Sequence, residues 1–79
     1  MRTLYVGGLP AHMDSEALGT LFREFGDLAA ARVVMRPSTN TCRGFGYVTF
    51  VSEAAARLAK QALDGRPLGV SRLRVDEAT

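Results

Sequence analysis

Residues 43 to 50, Arg-Gly-Phe-Gly-Tyr-Val-Thr-Phe, set three aromatic rings and two glycines behind an arginine, in a chain with only four Phe, two Tyr and no Trp. An aromatic face is an apolar platform on which a second planar group can stack. A guanidinium adds a flat cationic fork suited to phosphates. This is the chemistry of holding a ligand, and the usual ingredients of catalysis are not grouped to match. His12, Asp14 and Cys42 have no mutual spacing that makes a metal site or a nucleophile with its base, and Asp14 is explained as a helix cap. One cysteine forms no internal disulfide and cannot build a thiolate cage. Neither an enzyme nor a metal or other cofactor is expected.

The elements that would position these groups follow from periodicity. Thr3 to Gly8 is a short β-branched and aromatic run closed by Gly8-Leu9-Pro10, which predicts a first strand. Asp14 then caps a helix over about 14 to 25. Its stripe is Leu18, Leu21, Phe22 and Phe25, with Gly26 as the stop. Leu28 to Met35 predicts strand two, followed by a polar loop in which Asn40 takes positive φ, and the aromatic octapeptide is strand three. Ser52 caps a second helix carrying Ala55, Ala56, Ala59, Ala62 and Leu63, which ends at Asp64-Gly65. Strand four follows at about 71 to 76.

The order β-α-β-β-α-β predicts an α+β, ferredoxin-like sandwich: one antiparallel four-stranded sheet with both helices on one face and the other face bare. Alternation then separates the side chains. Leu4, Val6, Val48, Phe50, Leu73 and Val75 match the helix stripes and belong to the core. Tyr5, Phe45 and Tyr47 fall on the bare side with Arg32, Arg43, Arg72 and Arg74. Cross-strand packing would also explain rings in strands. However, an apolar patch ringed by arginines on an open sheet is a costly surface to leave without a partner.

At 79 residues the chain is expected to be one domain, 1–79, with a thin two-layer core. A net charge of +2 is too small to argue nucleic-acid binding by itself, so the placement of the arginines carries that case. No apolar run approaches the roughly 20 residues of a membrane span, and no signal-peptide core follows Met1. An intracellular protein without membrane contact is expected.

The octapeptide resembles the octamer of the RNA recognition motif family at every specified position, and Leu4-Tyr5-Val6-Gly7-Gly8-Leu9 looks like that family's hexamer on strand one. The ending Val-Asp-Glu-Ala and the start at Met1 look like the small bacterial members, without their basic or Gly-rich tail. The resemblance implies sheet order 4-1-3-2 and single-stranded RNA as partner, with single-stranded DNA as a further ligand. It also implies a monomer, cytoplasmic if bacterial and nuclear if excised from a eukaryotic protein. It implies stacking roles for Tyr5 and Phe45, a sugar contact for Tyr47, and a phosphate contact for Arg43. Arg74, Arg32 and Arg72 would meet phosphates or base edges. Gly44 and Gly46 would let a nucleotide come close. Five positions depart from the family pattern: Gly8, Arg36, Lys60 and the pair Val70-Ser71. The last of these leaves the turn before strand four least defined, while Lys60 is expected to lay its stem on the core edge with its ammonium wet. The alternative is a protein-interaction module on the same fold.

Overall fold

The computed structural model describes residues 1 to 78. In chain order the elements are β1 (Arg2–Gly7), α1 (Ser15–Arg23), β2 (Leu28–Arg36), β3 (Thr41–Phe50), α2 (Glu53–Leu63), β4 (Pro67–Leu68), β5 (Ser71–Arg72) and β6 (Arg74–Glu77). The main sheet runs β2-β3-β1-β6 and every pairing in it is antiparallel. With β6 as the fourth long strand this is the order 4-1-3-2, a ferredoxin-like sandwich.

Both helices start where a side chain replaces a missing backbone partner. The Ala17 amide donates to Asp14 Oδ1 at 2.7 Å, and the Ala55 amide donates to Ser52 Oγ at 3.3 Å. From these caps the helices lay apolar stripes on the sheet. Leu18 and Phe22 of α1 and Ala55, Ala56, Ala59 and Leu63 of α2 are buried against Leu4, Val6, Val48, Phe50, Leu73 and Val75. Ala62 is exposed, one position round the helix from the buried stripe. The small residues of α2 let that helix sit close to β1, β3 and β6. Phe22 and Phe50 fill the opposite half, with ring centroids 6.4 Å apart at 58°.

Strand four is shorter than its sequence pattern. Leu73 donates its amide to the Arg66 carbonyl and accepts from the Gly65 amide, so the chain breaks stride there. Pro67–Leu68 and Ser71–Arg72 form a separate two-stranded ribbon. Gly69 turns its tip at φ +65°, and Val70 is fully exposed there. Asp64 ties the ribbon's base to the sheet, accepting the Val75 amide at 2.9 Å.

Periodicity also did not reveal the segment between β1 and α1, which runs along the first half of β3. Leu9 donates to the Gly44 carbonyl and Cys42 donates to the Ala11 carbonyl, each at 2.9 Å. Leu9, Met13 and Cys42 are buried and belong to the core. Among the described residues no helix is long and apolar enough to cross a membrane.

Phe22 is fully buried between the helix layer and the sheet, so Phe22→Ala should cost about 3–5 kcal/mol. That is a large part of the stability of any domain this small. Urea unfolding followed by circular dichroism should show the midpoint collapsing, whereas a small shift would mean the core does not depend on this ring.

Candidate nucleic-acid interface

Strand register decides which side chains share the uncovered face. Across β1 and β3, Thr3 pairs with Thr49, Tyr5 with Tyr47 and Gly7 with Phe45. Cross-strand partners lie on the same side of a sheet, so these three pairs form one surface. The other side carries Leu4, Val6, Val48 and Phe50, all buried under the helices. A 2.9 Å hydrogen bond between the Thr3 and Thr49 hydroxyls closes one end of the open face.

The three rings touch one another. Tyr5 and Phe45 lie with centroids 5.9 Å apart and planes inclined by 29°. Tyr47 stands nearly edge-on to both, at 6.1 Å from Tyr5 and 6.2 Å from Phe45. Tyr47 is 40% exposed and the other two residues are half-buried. Two rings inclined by only 29° with an upright ring beside them form a platform on which flat groups can be stacked.

Gly7, which pairs with Phe45, makes this arrangement possible. A Cβ at that position would lie 2.7 Å from Tyr5 Oη and 3.0–3.1 Å from the ring, so the Tyr5 side chain lies over Gly7 and reaches Phe45 through the space a side chain would fill. This positioning role was not read from the sequence, although a glycine two residues after an aromatic in a strand is its signal.

Gly44 and Gly46 are required by the chain itself. Gly44 has φ +97° where β3 carries extra residues opposite β2, and Gly46 presses on the backbone of Arg32 and Val33. Gly46 also faces the core with Cys42 and Val48, away from the platform. Their expected role of admitting a nucleotide gives way to local geometry: the bulge needs positive φ at one glycine and close strand approach at the other.

Arg32 pairs with Tyr47 from β2, and Arg74 pairs with Gly7 from β6, so both belong to the open face; Arg43 is exposed two residues before Phe45, across the Gly44 bulge. All three are exposed and enter no ion pair among the described residues. Three ion pairs among the described residues engage other cations. Arg2 binds Glu53 and Glu77, and Lys60 Nζ meets Asp76 Oδ1 at 3.3 Å.

Arg72 does not join the group on the sheet. The break at Leu73 puts it in the β4–β5 ribbon, where its guanidinium donates to the Gly65 carbonyl at 3.1 Å. Alternation counts through a strand only while the strand is continuous. Lys60 follows its expected course, half-buried with its ammonium at the sheet edge. The Glu77 amide, and then Lys60, hold the Asp76 carboxyl below its ordinary range.

Comparison with known proteins agrees with this geometry. The model of the family described as RNA recognition motif matches residues 4–74. The chain is 45% identical over 65 residues to the mitochondrial glycine-rich RNA-binding protein 3 of Arabidopsis thaliana, a match covering 82% of this chain and 21% of that protein. It is 44% identical over 75 residues to a chloroplast 28 kDa ribonucleoprotein of Spinacia oleracea, covering 95% of this chain and 32% of that one. The chain thus spans a third or less of these two relatives, whose organelles are intracellular compartments but neither the cytoplasm nor the nucleus named in the sequence-based expectation. RNA recognition domains 1 and 2 of the Sex-lethal protein of Drosophila melanogaster superpose with TM-score 0.94 at 30% identity, over all of this chain and 50% of that one. The structure of a Sex-lethal protein/RNA complex superposes with TM-score 0.92 at 31% identity, over 99% of this chain and 47% of that one.

Gly7→Ala should displace the Tyr5 ring from Phe45 while leaving the fold intact, because the colliding atoms are the far end of a movable side chain. Contacts between the two rings in nuclear Overhauser spectra should vanish, with an unfolding free energy changed by about 1 kcal/mol or less. Persistence of those contacts would show that the ring does not need the space above Gly7.

Proposed function

We propose that this chain, which belongs to the RNA recognition motif family, binds single-stranded RNA across the open face of its sheet. The observation that carries the reading is the platform of Tyr5, Phe45 and Tyr47, flanked by three exposed arginines without ion-pair partners among the described residues. Tyr5 and Phe45 stack bases, Tyr47 lies against a sugar between them, and Arg43, Arg32 and Arg74 meet phosphates or base edges. Arg72, held at the Gly65 carbonyl, has a lesser part. Residues 1–79 act as one binding domain. Single-stranded DNA offers the same faces and phosphates, so the stacking term admits it too.

The physical basis is general. Every base has a π-face, so stacking holds a single strand with little regard to sequence, at about 1–3 kcal/mol per base. Two or three stacked bases offset the loss of freedom of RNA and side chains only in part, which places affinity for a short oligomer in roughly the micromolar range. Arginine suits the rim because its planar guanidinium can accept a phosphate bidentately or lie flat on a base.

Titration of a labelled short RNA should show Tyr5→Ala and Phe45→Ala each weakening binding by about 5- to 150-fold. With about three phosphates neutralised, the slope of log affinity against log salt should be near −2. Backbone amide shifts should follow the open face. Shifts confined to α1 and α2, or affinity unchanged by Phe45→Ala, would instead favour a protein-binding role.

A further inference from the structure

Two hollows meet around the β6 edge of the sheet. One, of about 300 Å³, opens beside the Tyr5 ring and Arg74. The larger, of about 450 Å³, lies on the helix side, between α2 and the cross-strand partners Leu4 and Glu77. Lys60 and Asp64 line both, so the hollows are neighbours on the two sides of one edge. The way around that edge is short, because β6 has only four residues once the chain is diverted at Leu73.

We infer that the helix-side hollow is a second RNA site: a strand resting on Tyr5 passes over the β6 edge and seats the base of a flanking nucleotide beside α2. The inference rests on the sheet-face RNA binding proposed above. The lining suits a flat, neutral group with a polar margin. Leu4 and Ala56, each 1% exposed, form an apolar inner wall. Three cations, Arg2, Arg57 and Lys60, stand against three acids, Glu53, Asp64 and Glu77, so the hollow does not concentrate phosphate. Arg2 is bound to Glu53 and Glu77, and Lys60 to Asp76. Arg57 and Gln61 lie one turn apart on α2, exposed, and their side chains enter no hydrogen bond or ion pair among the described residues. A guanidinium can lie flat on a base, and a carboxamide offers a donor and an acceptor side by side to the base edge. The volume is that of a small-molecule pocket, which runs to about 300–1,000 Å³. A peptide strand has less to hold here. The amides of Val75 and Glu77 point off the sheet, and the carboxylates of Asp64 and Asp76 already take them at 2.9 Å each. Continuity with the ring platform, through Arg74 and Lys60, is what selects a nucleobase as the occupant.

The test uses the whole chain and a short uridine core extended at both ends by abasic sugar-phosphates, with affinity read by fluorescence anisotropy. In a second series one uridine is restored at each end, beyond an abasic gap of increasing length. The two series carry the same phosphates and the same core, so they differ only in the flanking base. At one gap length the restored base should tighten binding about tenfold, and the backbone amides of residues 56 to 61 should shift only then. Arg57→Ala combined with Gln61→Ala should bring the two series within about twofold of each other and leave the affinity of the abasic-flanked core unchanged. Both side chains are exposed, and that unchanged affinity shows the variant to be folded. Equal binding of the two series at every gap, with the α2 amides unmoved, overturns the second site, leaves the hollow to a protein side chain and leaves the platform standing. A gain that survives in the double variant also overturns it. Failure of the core to bind overturns both readings.

Discussion

Helices roof only one side of this sheet, and strand residues alternate between its sides. Together these two facts dictate where everything else goes. Burying Leu4, Val6, Val48, Phe50, Leu73 and Val75 supplies the hydrophobic stabilisation of a small domain, and no one-residue slip in register keeps them buried. Once they are committed, Tyr5, Phe45 and Tyr47 have no choice of face. The exposed aromatic platform follows from the packing on the reverse side, so a core substitution that altered register would also dismantle the platform.

Glycine tunes the surface that alternation creates. Gly7 has no side chain where the Tyr5 ring must lie, and that omission turns a neighbouring pair of rings into a near-parallel one. Gly44 bends β3 where the strand gains residues over β2, and the segment from Leu9 to Ala11 braces it by two backbone hydrogen bonds. The beginning of β3, which carries Arg43 and Phe45, is thereby fixed from both sides. Rings already in contact with one another have little side-chain freedom left to lose.

Charge is sorted with equal economy. The acids of α2 and β6 take up Arg2 and Lys60 along one edge, while the arginines around the rings enter no ion pair among the described residues. A net charge of +2 says little of this, because the sum hides the separation. At the β6 edge the two kinds of charge meet, with Asp76 standing beside Tyr5 in register and Arg74 next to it on the same face. That edge sets a carboxylate beside a guanidinium, where the rest of the open face carries rings, hydroxyls and arginines.

The order of elements, both helix caps, the aliphatic core and the face taken by the three rings are all legible in the chain, since each depends on local chemistry or on a period of 2 or 3.6 residues. What the chain does not show is whatever depends on where a period stops or on two distant backbones meeting. Strand four looks continuous through Arg72, Leu73 and Arg74, yet the hydrogen bonds of Leu73 to residues 65 and 66 divert it and carry Arg72 away to the Gly65 carbonyl. Ala62 falls outside its stripe because the width of the buried band is set by the sheet beneath it. Gly46 looks like an opening for a ligand until the backbone of β2 is found against it, and Gly7 looks incidental until the Tyr5 ring is found above it. Which residues must hide, and therefore which rings must show, is already written in the chain, because burial and alternation act residue by residue. How those rings lean, which arginines remain beside them and which carboxylate stands at their edge come from the folded arrangement, because these depend on contacts between segments that no local pattern encodes.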